Sequence, residues 1–97
     1  MIKIKLEDIR AELHKIDIEI ISLIEKRVKL AEKVLEAKKH IDKSINDEDQ
    51  NQVVLSRAVN EATERNLDTG AIKEIYKILI QMNIDRQHEL SGEGNLP

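Results

Sequence analysis

Apolar residues in the first half of the chain recur at alternating intervals of four and three residues. They stand at positions 9, 13, 16, 20 and 23, and again at 30, 34, 37 and 41. This spacing is typical of an α-helix with one buried seam. No glycine or proline interrupts the segment, and Glu7 and Asp8 at its start and Lys38 to His40 at its end suit the helix dipole. The pattern predicts a single helix from Leu6 to His40.

The length of this first helix predicts a second chain. Its residues would form a rod of roughly 52 Å at a rise of ~1.5 Å each. A compact domain of 97 residues is only about 30 to 35 Å across. Either the helix breaks, or a partner covers the part that projects. Because nothing in the segment breaks a helix, we predict a homodimer built around paired long helices.

A second helix is predicted after a polar loop at 42–46. Asn46 or Asp47 can cap its start, and acidic residues follow in its first turn. It should end near Arg65. Its apolar face consists of Val54, Leu55, Ala58, Val59 and Ala62.

A third helix should begin at Asp68 or Thr69 and end near Leu90. Its apolar residues are Ile72, Ile75, Tyr76, Leu79, Ile80, Met82 and Ile84. The sequence therefore predicts an all-α fold of three helices, with one domain over 1–90 and a flexible tail at 91–97.

Composition supports the helical prediction and excludes several classes of function. One proline and three glycines leave few turn residues for a sheet protein. The absence of cysteine excludes disulfides and thiol chemistry. The first residues lack the apolar core of a signal peptide, and no apolar run approaches the length of a membrane span, so we predict a cytoplasmic protein with no membrane partner.

The net charge argues against nucleic-acid binding, and the placement of the histidines argues against a metal site. A net charge of -3 and a single aromatic residue argue against nucleic-acid binding. His14, His40 and His88 lack the spacing of metal ligands, and no cysteine or acidic cluster completes a set. We therefore expect neither a nucleic-acid partner nor a metal site.

Two cations interrupt the apolar pattern of the first helix. Arg27 falls on the seam, and Lys38 follows 11 residues later, about 20° out of alignment and ~16 Å along the axis. Taken singly, Arg27 could pair with a glutamate of a neighbouring helix, and Lys38 could cap the helix end. Together, with no acid aligned between them, they suggest a site for a small anion.

Three other polar residues belong to the same hypothesis. Asn83 and Gln87 are four residues apart on one face of the third helix and could donate hydrogen bonds into a cavity. Arg10 lies ~25 Å from Arg27 and about 100° around the helix, so it cannot reach that site within one chain. In an antiparallel dimer, Arg10 of the partner subunit could reach it.

The sequence resembles a known family, the small monofunctional chorismate mutases of the all-helical class. The resemblance runs from about Leu6 to Leu90. It is carried by the segments "IRAELHKIDIEIISLIEKRVKLAEKVLEAKK", "INDEDQ" and "ILIQMNIDRQ". It implies an intertwined homodimer of three-helix chains with two equivalent sites. It also implies isomerisation of chorismate, a dianion, to prephenate in aromatic amino-acid biosynthesis (the shikimate pathway), without a cofactor.

The resemblance also implies a role for individual residues. Arg27 would bind a substrate carboxylate within its own chain, and Arg10 would reach into the partner's site. Lys38 and Gln87 would donate to the ether oxygen. Asp47 would help to hold the ring-hydroxyl end, and Asn83 would contact a carboxylate.

The second helix departs from the family pattern at Gln50 and Asn51, where an arginine and a glutamate are usual. Gln50 lacks the positive charge, whereas Asn51 can still accept a hydrogen bond through its amide oxygen. The loss of one charged hydrogen bond should cost about 1 to 3 kcal/mol in the free energy of substrate binding or of activation, so we expect weaker binding or slower turnover. The departure leaves open a relative that acts on another chorismate-like substrate, as isochorismate pyruvate lyase or aminodeoxychorismate mutase does. It also leaves open a non-catalytic helical dimerisation module.

Overall fold

Three α-helices account for most of the chain. The computed structural model describes residues 4–41 and 43–92. Helix α1 spans Leu6–His40, α2 spans Glu48–Glu64 and α3 spans Thr69–Ser91. These described residues contain no β-strand. The predicted all-α fold of three helices with a long first helix is confirmed.

Helix α1 is unbroken over 35 residues and determines the shape of the chain. The described chain measures 62 × 28 × 24 Å, with a radius of gyration of 17.6 Å. A compact domain of this length would have a radius of gyration near ~12.5 Å. The first of the two sequence alternatives, a broken helix, is therefore wrong. Part of α1 projects beyond the rest of the chain.

Side-chain caps fix the starts of the two shorter helices. Asp47 accepts a hydrogen bond from the main-chain nitrogen of Gln50 at 3.2 Å. Asp68 accepts one from the main-chain nitrogen of Ala71 at 3.0 Å. Each bond satisfies an amide that the first turn of a helix leaves unpaired. Asp47 rather than Asn46 is thus the cap of α2.

The third helix ends at Ser91, in agreement with the predicted end near Leu90. Its C-cap is Gly92, with a left-handed φ of 87° that a residue without Cβ adopts readily. Position 42 of the predicted loop and residues 93–97 of the predicted tail lie outside the described residues. The division into a domain at 1–90 and a tail at 91–97 stays a prediction.

The core of the single chain lies where α3 packs against both α1 and α2. Helix α1 contributes Ala31 and Leu35, which are 0% and 7% exposed. Helix α2 contributes three residues of its predicted apolar face, namely Leu55, Ala58 and Ala62. Helix α3 contributes half-buried apolar side chains at Ile72, Tyr76, Leu79, Ile80 and Ile84.

The predicted seam of α1 is not buried within the chain. Every described residue before Leu23 on this helix is exposed, because α3, the helix that packs against α1, covers only its C-terminal part. The apolar side chains left open here and their exposed fractions are Ile9 41%, Leu13 52%, Ile16 50%, Ile20 48% and Leu23 58%. We call these five residues the open seam. On α3, Ile75 and Met82 were also expected in the core and are instead exposed.

Within the described ranges, no helix is both long and apolar enough to cross a membrane.

Candidate active site

A cavity of about 200 Å³ lies where the three helices converge. The predicted site residues of α1, α2 and α3 meet on its walls, and apolar side chains complete the lining. Its lining consists of Arg27, Val34, Lys38, Ile45, Asp47, Gln50, Asn51, Val54, Ile80, Asn83, Ile84 and Gln87. Every residue that the sequence proposed for a site is therefore here, except Arg10.

Arg27 enters the cavity from α1 without a carboxylate partner. Its Nε atom is buried and makes no hydrogen bond within the described part of the chain. Its Cζ atom lies 5.8 Å from the centroid of the Tyr76 ring, a cation–π distance. None of the ion pairs among the described residues involves Arg27. The alternative in which Arg27 pairs with a glutamate is therefore not what the chain adopts.

Lys38 is held at the opposite end of the cavity by two acceptors. Its Nζ atom donates to the main-chain oxygen of Ile45 and to Oε1 of Gln87, the latter at 3.2 Å. Burial lowers the pKa of Lys38 below its usual value of 10.5. Nearby Asp47 opposes this shift in pKa, and Lys43 adds to it. An ammonium has three hydrogens, so one of them stays available to a ligand.

Helix α3 supplies two amides that are bonded to each other. Gln87 is the one buried polar residue in the described chain, with 2% of its surface exposed. Its Nε2 atom donates to Oδ1 of Asn83 at 2.6 Å, and the Nδ2 atom of Asn83 donates to the main-chain oxygen of Arg27 at 3.2 Å. A continuous line of hydrogen bonds thus runs from Lys38 to Arg27. We call it the amide chain.

The start of α2 forms the third wall. The carboxylate of Asp47 caps the helix and also lies 3.8 Å from Nζ of Lys43. The Nδ2 atom of Asn51 donates to Oδ1 of Asn46 at 2.9 Å, which leaves the Asn51 oxygen as the acceptor for a ligand. Gln50 and Asn51 bring no charge to this wall, so Asp47 is the one acidic residue among those that line the cavity.

Arg10 lies outside the cavity that contains the other predicted site residues. It is exposed on the projecting part of α1 and does not line the cavity. The spacing along the helix keeps it ~25 Å from Arg27 within one chain. Its predicted role across a dimer therefore stays a prediction.

The sequence of this chain is similar to those of known proteins. Residues 9–88 match the model of the chorismate mutase type II family. The chain belongs to this family. It is also 28% identical over 81 residues to a bifunctional chorismate mutase/prephenate dehydratase of Buchnera aphidicola subsp. Schizaphis graminum (strain Sg). That alignment covers 84% of this chain and 21% of the relative, so the chain spans about a fifth of that protein's length. The resemblance found in the sequence is confirmed.

Two features around this candidate site were not found by sequence reasoning. The first is the contact with Arg27 made by Tyr76, which does not itself line the cavity. Tyr76 lies seven residues before Asn83 and so on the same helical face. That spacing, in a chain with one aromatic residue, was an available signal. The second is the Ile45 main-chain oxygen that holds Lys38, for which no side-chain pattern exists.

A wider cleft of about 530 Å³ adjoins the cavity and shares Arg27 and Val54 with it. Arg57 and Arg65 also line this cleft, and Arg65 pairs with Glu61 at 3.2 Å. The amide chain and Lys38 do not line it. The smaller cavity is therefore the candidate site, because the polar side chains that the sequence analysis proposed for a site converge there.

The residue types of the cavity favour binding and orientation over covalent or metal chemistry. Its polar lining offers a guanidinium, an ammonium and three amide side chains besides Asp47 and Gln50. It contains no serine, cysteine or histidine, while Lys38 acts as a donor to Ile45 and Gln87 and the Asp47 carboxylate caps α2. Across residues 4–41 and 43–92, no group of three His, Cys, Asp or Glu side chains is placed to hold a metal ion. Such a lining can hold an anion and donate hydrogen bonds to it.

Proposed function

We propose that this chain is a chorismate mutase, an isomerase that converts chorismate to prephenate in aromatic amino-acid biosynthesis. The observation that carries the proposal is the convergence of Arg27, Lys38 and Gln87 on one cavity in a chain of this family. Chorismate is a dianion, and the cavity presents two cations to it.

The reaction needs orientation more than chemical groups. It is an intramolecular [3,3] shift in which one C–O bond breaks as one C–C bond forms, and no proton, electron or co-reactant is exchanged. The enolpyruvyl arm must fold over the ring before the shift can occur. Holding a flexible molecule in its reactive shape removes an entropic part of the barrier. A rigid cavity with fixed donors is suited to this task.

Two arginines would hold the two substrate carboxylates. The planar guanidinium binds a carboxylate through two parallel hydrogen bonds, which fixes orientation as well as position. Arg27 has a buried Nε atom without a hydrogen bond, so it can take a carboxylate without first breaking an ion pair. Arg10 of the partner subunit would supply the second guanidinium.

Lys38 and Gln87 would stabilise the transition state. Negative charge grows on the ether oxygen as the C–O bond breaks. Donors already aimed at that oxygen bind the transition state more tightly than the substrate. Lys38 has one hydrogen beyond its two internal bonds. The amide of Gln87 adds a donor that is neutral at any pH, and one of its two hydrogens is used in the short bond to Asn83.

The remaining site residues would bind the rest of the substrate. Asp47 and Asn51 lie at the α2 end of the cavity and would receive the ring hydroxyl, while Asn83 would contact a carboxylate. Gln50 replaces a cation, so binding or turnover should be weaker by about 1 to 3 kcal/mol. The family match does not favour the two altered-substrate alternatives or the non-catalytic module.

The open seam supports a homodimer. Five half-exposed aliphatic side chains on one helical face form a large apolar surface for a chain that is otherwise rich in charge. An antiparallel copy of α1 would cover that surface. The same arrangement would carry Arg10 of the partner subunit towards the cavity, which joins dimer formation to activity.

Turnover of chorismate by a pair of matched variants tests the proposal. Arg27→Ala should lower kcat/KM at least about 100-fold, because it leaves one carboxylate of the substrate without its guanidinium partner. Lys29→Ala is the control, because Lys29 is an exposed cation of the same helix, paired with Glu25. Equal turnover in the two variants would contradict the assignment of the site. Conversion of isochorismate or of the amino analogue instead of chorismate would favour an altered substrate.

A further inference from the structure

The hydrogen bonds of the amide chain can run in only one direction, with each group donating to the next from Lys38 towards the Arg27 oxygen. At one end, the Lys38 ammonium can only donate; at the other, the main-chain oxygen of Arg27 can only accept. If either amide were turned over, donors would face donors or acceptors would face acceptors at two of the three contacts. If both were turned over, the two end contacts would be lost. The two fixed ends therefore determine which atom of each amide points where.

This direction determines where the donor atom of Gln87 lies. Its Oε1 atom accepts from Lys38 at 3.2 Å, so its Nε2 atom must lie on the side of Asn83. There it contacts Oδ1 of Asn83 at 2.6 Å and the Asn83 main-chain oxygen at 3.4 Å. The shorter contact is the stronger one. Asn83 in turn is held by its bond to the Arg27 oxygen, on a different helix.

We infer that Asn83 is a positioning residue that sets the place of Gln87 Nε2 in the site, in addition to any contact with substrate. The inference rests on the proposed function, because Gln87 Nε2 matters to catalysis only if it faces the ether oxygen. It assigns to Asn83 a role through Gln87, and it makes the α1 main chain at Arg27 the anchor of that role. The bond from Asn83 ties α3 to α1 at the residue that binds a carboxylate.

The surroundings of Gln87 leave few other ways to hold it. It is 2% exposed, so water cannot replace a lost partner without opening the packing. Lys38 constrains only its oxygen. Without the Asn83 side chain, the amide can pivot about the Lys38 contact, and its nitrogen keeps only the long contact to a main-chain oxygen.

The first test observes Gln87 directly and requires no turnover. In a proton–nitrogen correlation spectrum, the side-chain amide of Gln87 is the signal that disappears in Gln87→Ala. We expect it to exchange slowly with water in the intact protein. Gln81 is the internal reference, because it lies on the same helix and donates to Asp85 at 2.8 Å while exposed. Asn83→Ala should shift the Gln87 signal and speed its exchange, leaving that of Gln81 unchanged.

A conservative variant separates positioning from general loosening. Asn83→Asp keeps the size of the side chain and an oxygen that accepts from Gln87, but it cannot donate to the Arg27 oxygen. It should therefore keep the exchange of the Gln87 amide slower than in Asn83→Ala but faster than in the intact protein, because the acceptor of Gln87 Nε2 stays and the anchor at the Arg27 oxygen is lost. If Asn83→Ala leaves the Gln87 signal and its exchange unchanged, the inference is wrong. It is equally wrong if Asn83→Asp loses the slow exchange to the same extent as Asn83→Ala.

The second test is a double-mutant cycle on kcat with chorismate. Asn83→Ala should lower kcat by about tenfold, the effect of one misplaced hydrogen bond, and change KM less. In a Gln87→Ala background, the same substitution should lower kcat by less than about twofold, because the group it positions is gone. An equal loss in both backgrounds, or a change confined to KM, would overturn the inference. If the intact protein does not convert chorismate at all, the proposed function fails, and the spectrum alone decides the role of Asn83.

Discussion

Truncation of Ile16 to alanine should weaken the association of two chains measurably. Ile16 lies in the middle of the open seam and is 50% exposed in the single chain. The change removes three carbon groups, each contributing about 0.8 kcal/mol when fully buried. Because half of the side chain is already covered, about 1 kcal/mol is lost per chain. A twofold interface contains the residue twice, so the dimer loses about 2 kcal/mol and its Kd rises about thirtyfold.

The chain offers a closely matched control for this variant. Ile18 has the same side chain, lies two residues further along the same helix and is 57% exposed. It points about 160° away from Ile16 and is not part of the open seam. Ile18→Ala should therefore leave the Kd within about threefold of the original.

Sedimentation equilibrium over a range of concentrations measures both variants. Ile16→Ala should dissociate at concentrations where the original chain and Ile18→Ala stay dimeric, and its specific activity should fall with dilution. The fall in activity follows because Arg10 of the partner subunit is lost on dissociation. A monomeric original chain would refute the reasoning. So would equal effects of the two variants, since the open seam would then not be the interface.

Further predictions concern the charges of the site. Inactive Arg10→Ala and Arg27→Ala chains should regain activity when mixed, since a mixed dimer contains one intact site; no recovery after subunit exchange would exclude a shared site. Gln50→Arg with Asn51→Glu should raise kcat/KM for chorismate, and a fall would indicate a pocket adapted to another ligand. Burial lowers the pKa of Lys38, so activity should fall as pH rises through that lowered value, whereas Lys38→Arg should stay charged and move the fall to higher pH. Over the interval between the lowered value and 10.5, stability should rise with pH, because the unfolded chain holds the extra proton.

The helices could be predicted from sequence because local rules determine them here. An uninterrupted apolar repeat without glycine or proline produced α1, and Asp47 and Asp68 produced the starts of α2 and α3 through their capping bonds. These features depend on neighbouring residues only. The predicted end of α3 near Leu90 agrees with its end at Ser91, where Gly92 closes the last turn as a left-handed residue.

The face of α1 that packs within the chain could not be predicted in the same way. The repeat marked Leu30 and Val34, yet Ala31 and Leu35 are the buried residues, because α3 covers a neighbouring stripe of the helix. A helix with two apolar stripes does not reveal which one meets its own chain and which one meets another.

For the site, helical spacing indicated which side chains share a face, but it gave no bond directions. Arg27 with Lys38, and Asn83 with Gln87, were paired by their separations along one helix. The link between the pairs runs from Asn83 to a main-chain oxygen of α1, and sequence contains no sign of it. The same holds for the Ile45 oxygen that orients Lys38.

Incubation of the purified chain with chorismate, with product identification by NMR, tests the central claim most directly. The buffer contains a chelator and no added cofactor, and the amount of protein is varied. We expect prephenate as the single product, formed at a rate proportional to the concentration of protein, and we expect Arg27→Ala to abolish its formation. Release of pyruvate, or no change in chorismate at protein concentrations where the dimer is intact, would contradict it.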